Sequence, residues 1–300
     1  MVKERVLRSE KTKTRSKKMA AFYNQASINL GGSVTNSNIT VGEITSGITL
    51  TKTAATSEYG AGEGITYVVS AVNSGLSEYN GLTLTDDLGR FTVGAQVITP
   101  LTYVEGSLIF YLDGVIQPAP TVTLGETLAI GPFNIPAGSN ATVIYEARAN
   151  QTAPLGAGAS ITNTVTLVGG SCELSDSATV PTRDEPRLTI AKAVCPQSVT
   201  CAGEITYTVI IQNLGNTPVV ATDDLIVNDT FNPILNNITV TLDGTALAEG
   251  AGYTYNVATG EFATLPGTVT VPAASFTRDP ATGIISTTPG VAVITVTGTL

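Results

Sequence analysis

Apolar residues alternate with Thr, Ser and Asn along most of the chain, as in GITYVVSAVN at 64–73 and SITNTVTLVG at 160–169. The runs are short and bounded by Gly, Pro and Asn. A period of two sends successive side chains to opposite faces, so such runs predict half-buried β-strands rather than helices. No apolar run approaches the length of a membrane-spanning helix.

The pattern repeats. LTKTAATSEYGAGEGITYVVSAVNSG at 50–75 matches LTIAKAVCPQSVTCAGEITYTVIIQNLG at 188–215, with Lys52/Lys192, Tyr67/Tyr207, Asn73/Asn213 and Gly75/Gly215 at one constant offset. A constant offset means two copies of one module, each expected to be a β-sandwich. The expected division is a basic leader at 1–19, an extension at 20–45, a first module at 46–182 and a second at 183–300. The boundary falls in VPTRDEP.

Composition narrows the choice further. The 300 residues are 42% hydrophobic and 13% charged, with 30 Gly and 15 Pro, which suits an all-β protein with one or two cores. There is no His and no Trp. With no triad, metal cluster or phosphate loop either, an enzyme is disfavoured and no cofactor or metal is expected. The acidic pairs Asp86/Asp87 and Asp223/Asp224 lack the spacing of a calcium loop.

Charge is uneven. Residues 1–18 hold eight of the 15 basic residues against two acids, while the body carries seven basic and 22 acidic residues. An acidic body disfavours nucleic acid, and the leader reads as a solvated arm or one that docks on an acidic neighbour. The residues after it, MAAFYNQASINL, supply no continuous apolar secretory segment, and no membrane association is expected.

Phase singles out particular side chains. Lys52 follows Ile48 and Leu50 at period two, and Lys192 follows Leu188 and Ile190; these are the only lysines after residue 18. By the same count Asp86 follows Leu82 and Leu84, Asp229 follows Leu225 and Val227, and Asn163 lies in phase with Ile161, Val165 and Leu167. All are expected to face a core. A buried ammonium is costly and must find a partner or become neutral.

The simpler reading is a buried Lys52–Asp86 ion pair with Asn163 completing its hydrogen bonds. The chemical reading is a single-turnover reaction in which a neutral lysine amine attacks the Asn amide under a carboxylic acid. It forms an isopeptide bond with loss of ammonia. Asp86 and Asp229 would then be the catalytic carboxylates, and no turnover enzyme is implied.

The sequence TKT, then GxxITYxVxxxNxG, TxTDxL and a late ITNTVT resembles the conserved Ig-like repeat of bacterial surface proteins, a domain of unknown function, over both modules. The resemblance implies Ig-like sandwiches and places the family's Lys, Asp and Asn on Lys52, Asp86 and Asn163, candidates for an intramolecular cross-link. The whole chain, including VPAASFTRDPATGIISTTPGVAVITVTGTL, is similar to clostridial spore-surface proteins and spore-appendage subunits. That implies a spore surface or extracellular fibre, made without a signal peptide.

The second module departs from the first. Aligning IPAGSNATVIYEARAN at 135–150 with TTPGVAVITVTGTL at 287–300 puts Val143 on Val293, Ile144 on Ile294 and Asn150 on Leu300, so the second module is expected to lack its last strand. Lys192 and Asp229 are then left without an Asn. SVTNSNITVG at 33–42 resembles SITNTVTLVG, aligning Asn36 with Asn163 and Val34 with Ile161, with Asn38 as the alternative partner.

If 33–42 closes its own second module, the result is a permuted monomer; if it closes a neighbour's, the result is a head-to-tail homopolymer joined through Lys192 and Asn36. The polymer is the expected outcome, with the chain itself as main partner beside other spore-surface proteins. A secreted or cell-surface adhesin module and a phage virion Ig-like protein are the alternatives. Cys195 and Cys201 flank a turn and are candidates for a disulfide, with Cys172 free or linking chains; reduced thiols are the other reading.

Overall fold

The computed structural model describes residues 20–30, 32–44, 47–169, 172–200 and 203–300. The leader expected at 1–19 lies outside them. Strand dominates: among the described residues helix is limited to one 3-10 turn, Ala221–Asp223. Among the described residues no helix is long and apolar enough to cross a membrane.

The front segment contains β1 (Ala20–Asn24), β2 (Ser27–Leu30), β3 (Ser33–Asn36) and β4 (Thr40–Ile44). β1 pairs with β4 and β2 with β3, both antiparallel, so the segment folds back on itself as a hairpin in two short ladders. Gly32 sits at the turn with φ +86°, the left-handed geometry that two-residue hairpin connections require. Tyr23, Ile28, Val34, Ile39 and Val41 are exposed along it. The sequence led us to expect a single donor strand at 33–42, whereas the structure pairs that stretch with the residues before it.

The first module opens with β5 (Ile48–Ala54), β6 (Gly64–Asn73) and β7 (Tyr79–Asp86). The short strands β8 (Phe91–Val93), β9 (Gln96–Ile98), β10 (Leu101–Tyr103), β11 (Ile109–Leu112), β12 (Val115–Gln117) and β13 (Val122–Leu124) follow. It ends with β14 (Leu128–Ile135), β15 (Asn140–Ala149), β16 (Ser160–Gly169) and β17 (Cys172–Pro181). One sheet has the order β12-β11-β15-β6-β5, with β10 also on β15, and the other has the order β13-β14-β7-β16-β17.

The alternating positions of both sheets meet in one core that includes Ile65, Tyr67, Leu84, Val143, Tyr145 and Leu167. Burying each such side chain contributes about 1.5–3 kcal/mol, which is why strict alternation fixes the register. Asn73 is fully buried and ties a turn by donating to the Ser77, Ile135 and Pro136 carbonyls.

The second module contains β18 (Leu188–Cys195), β19 (Glu204–Asn213), β20 (Asn228–Thr230), β21 (Asn236–Leu242), β22 (Thr245–Leu247), β23 (Tyr253–Asn256), β24 (Glu261–Thr264), β25 (Ser275–Arg278), β26 (Ile285–Thr288) and β27 (Gly290–Thr299). One sheet, β18-β19-β27-β21-β22, reproduces the β5-β6-β15-β11-β12 order. The opposing sheet is reduced to β20-β24-β23, with β20 at its edge. A second core, including Ile211, Val227, Phe231, Ile294 and Val296, lies between them.

Three expectations need correction. The alignment of the two tails is off by one residue: Val143 pairs with Val69 and Ile294 pairs with Val209, the residue equivalent to Val69, so Ile294 matches Val143. Leu300 therefore stands where Ala149 does. Second, both β16 and β17, and not one strand alone, are without a counterpart in the second module among the described residues. Third, Leu188 and Ile190 are 40% and 65% exposed, although their equivalents Ile48 and Leu50 are 2% exposed and half-buried. Their phase is inward, but among the described residues no counterpart of β17 packs over that edge.

Candidate functional site

The site in the first module is built across the two sheets. β5 carries Lys52 on the same face as Ile48, β7 carries Asp86 on the same face as Leu82 and Leu84, and β16 carries Asn163 between Ile161 and Val165. Lys52 is 3% exposed, and Asp86 and Asn163 are 0% exposed. The three residues singled out by phase are therefore brought into one buried cluster.

The Lys52 Nζ donates to Asp86 Oδ2 at 2.5 Å. The same oxygen accepts the Tyr145 hydroxyl at 2.5 Å, and Asp86 Oδ1 accepts the Leu88 N–H at 3.0 Å. Asn163 Nδ2 donates to the Tyr145 oxygen at 3.3 Å, and Asn163 Oδ1 accepts the Gly89 N–H at 3.2 Å. Amine, carboxylate, phenol and amide thus form one connected chain. The Tyr67 ring lies 4.7 Å from the Lys52 amine, and its hydroxyl is buried beside Asn163 without a well-formed hydrogen bond.

Burial pushes the Lys52 pKa down, and the Asp86 charge opposes it only in part. Burial and then the neighbouring Asp86 charge push the Tyr145 hydroxyl well up, so it remains a proton donor. Glycine suits position 89 geometrically: φ is +73°, which strains an L side chain, and a Cβ would stand 2.6 Å from the Ile161 side chain.

Tyr145, Gly89 and Tyr67 escaped sequence reasoning as parts of this site. Tyr145 was visible as an inward aromatic between Val143 and Ala147, which ordinarily signals packing alone. Asp176 of β17 was also missed; it accepts the Lys52 backbone N–H at 2.6 Å and binds β17 to β5.

The second module holds half of this arrangement. Lys192 Nζ lies 2.5 Å from Asp229 Oδ2, with side chains 39% and 18% exposed. The Tyr207 ring lies 4.4 Å from the amine, as Tyr67 does beside Lys52, and the Phe231 ring lies 5.0 Å from it. The place of Tyr145 is taken by Val296, opposite Tyr207 in the ladder. Asn36 is not brought to this pair within one chain; it pairs with Ser27 in the front hairpin. Asn38 is likewise exposed in that segment.

Cys195 is an exposed free cysteine, whereas Cys201 and the Cys172 side chain lie outside the described residues. No cluster of acidic or cysteine side chains fit to hold a metal occurs among the described residues.

No family model and no curated protein matches the chain. Among solved structures it is similar to BspA_C_mut, at 12% identity over 84% of this chain and 90% of that one, with a TM-score of 0.30. It is also similar to the pilus backbone RrgB of Streptococcus pneumoniae, at 12% identity over 81% of this chain and 55% of that one, with a TM-score of 0.32. A third similarity is to BcpA, the major pilin subunit of Bacillus cereus, at 12% identity over 91% of this chain and 73% of that one, with a TM-score of 0.33.

Proposed function

We propose that the protein is a structural subunit of a self-assembling surface fibre, braced inside each subunit and joined between subunits by Lys–Asn isopeptide bonds. The observation that carries this reading is the pairing of a complete site with a half site. Lys52, Asp86 and Asn163 form one buried network, while Lys192 and Asp229 repeat its first two members beside an open sheet edge. The spore-surface setting rests on the sequence resemblance.

The chemistry follows from the groups present. Transfer of a proton from Lys52 to Asp86 leaves a neutral amine and a carboxylic acid. The amine attacks Asn163 Cγ, and the charge that develops on Oδ1 is held by the Gly89 N–H. The attacking nitrogen loses a second proton, and Tyr145, bonded to both Asp86 and Asn163 Nδ2, is placed to relay one to the departing nitrogen. The Nζ–Cγ bond forms, the Cγ–Nδ2 bond breaks and ammonia leaves. The neutral product no longer carries the desolvation cost of a buried ammonium.

In the second module the amide would come from the front segment of another copy, closing the open edge as β16 and β17 close the first module. Each contact is head-to-tail and does not close on itself, so it generates a fibre. Purified chains should run as a ladder in boiling SDS. Lys192→Ala should abolish the ladder, Lys52→Ala should preserve it, and intact masses should be lower by one ammonia per bond. Unchanged masses with no ladder would overturn the covalent reading.

A further inference from the structure

The front hairpin and the β16–β17 hairpin have the same ladder. Leu30 pairs with Ser33 and Ser27 with Asn36; Gly169 pairs with Cys172 and Thr166 with Ser175. In both, two residues connect the strands, and the pairs superimpose at a single offset along the chain. We infer that the element supplied to the second module of a neighbouring copy is the whole hairpin 20–44, and that Asn24 is the residue that bonds Lys192. This rests on the fibre reading above and assigns its junction.

Counting back from the turn identifies the residue. Asn163 is three positions before Thr166, and Asn24 is three positions before Ser27, the residue equivalent to Thr166. The front ladder does slip, because Asn24 pairs with Thr40 where an unbroken ladder would give Ile39. The extra residue is on the second strand, so the count along the first strand is undisturbed. Asn36 falls at the place of Ser175, an exposed position on β17, and not at the place of Asn163.

Strand direction favours the same assignment. β16 runs antiparallel to β7, with Val165 opposite Asp86 and Leu167 opposite Leu84. A hairpin docked in the same sense puts Ala26 opposite Asp229 and Ile28 opposite Val227. Ile28, 70% exposed in the free hairpin, would then cover the apolar groove lined by Leu188, Ile190, Leu225 and Val227.

The open end of the hairpin also lies on the correct side. In the first module Pro181 leads into Thr182 and Arg183, which pair with Tyr59 and Glu63 at the end facing the second module. The same placement in the second module carries residue 44 to the end facing away from the first. A neighbouring subunit can follow there in line. Placing 33–42 in the β16 slot in the β16 direction would send the chain back toward the occupied junction between modules.

Tandem mass spectrometry of a digest of the wild-type polymer should find Lys192 joined to Asn24 with one ammonia lost. Full-length Asn24→Ala should lose the SDS-resistant ladder, while Asn36→Ala and Asn38→Ala keep it. Asn24 is exposed in the free hairpin, and the internal Lys52–Asn163 mass loss reports correct folding in every variant. A Lys192 bond to Asn36 or Asn38, or an undiminished ladder from Asn24→Ala, would overturn the assignment and leave the fibre reading standing. A wild-type chain with no ladder at all would remove the covalent junction itself.

Discussion

Lys52 and Lys192 occupy the same position on equivalent strands, each 2.5 Å from its aspartate and each beside a tyrosine ring. One side chain is 0% exposed and the other 39%. The difference comes from the two strands that cover the first site. β16 brings the amide and closes the sheet beside Asp86, while β17 holds β5 through Asp176. The lysine and aspartate alone therefore make an ordinary ion pair, and the hairpin turns the pair into a desolvated site. Strand addition would be a chemical switch as well as a structural one.

The largest test of this comparison is to remove each lysine in turn. Lys52→Ala leaves a carboxylate in the core and removes the amine of the proposed cross-link. The first module should lose about 3–5 kcal/mol or more, read as a drop in its unfolding midpoint. Lys192→Ala in the free chain should cost about 0–1 kcal/mol, because that pair is in contact with water. Equal losses would show that the two sites are not differently desolvated.

A smaller effect is expected from Tyr145→Phe. The fold keeps its ring, but the link between Asp86 and the Asn163 amide is lost. Bond formation should slow by on the order of 10²-fold, measured as the fraction of chains retaining full mass after purification. An unchanged fraction would exclude Tyr145 from proton transfer.

The smallest effect is on pH dependence, in an Asn163→Ala chain that cannot form the bond. Burial lowers the folded pKa of Lys52, so the unfolded chain binds more protons once the folded group begins to lose its own. Stability should rise with pH across that interval, up to the ordinary lysine value of about 10.4. Near pH ~10 the unfolded tyrosines ionise while buried Tyr67 and Tyr145 stay protonated, which reverses the slope. Urea midpoints at neutral and mildly alkaline pH would reveal the rise, and adding Lys52→Met should flatten it.

Much of the first site was readable because its residues obey the strand period. Lys52, Asp86 and Asn163 each sit in phase with aliphatic neighbours, and a charged or amide side chain in such a row stands out. Gly89 could not be found this way, since its N–H is aimed by a turn with positive φ. The tail alignment slipped because both strands contain an adjacent Val–Ile pair. Only the ladder shows that Ile294, and not Val293, faces Val209. The pairing of the front segment was not legible either: SVTNSNITVG resembles SITNTVTLVG in composition, but Ser33–Asn36 forms a hairpin with Ser27–Leu30.

Alternation along the chain determined the strands, the duplicated module and the inward phase of each lysine, because those depend on neighbours one and two residues away. Tertiary structure decided which inward group is sealed from water, which tyrosine joins carboxylate to amide, and how the front segment pairs with itself. Each of those depends on which strands meet, and a periodic pattern does not record its partner.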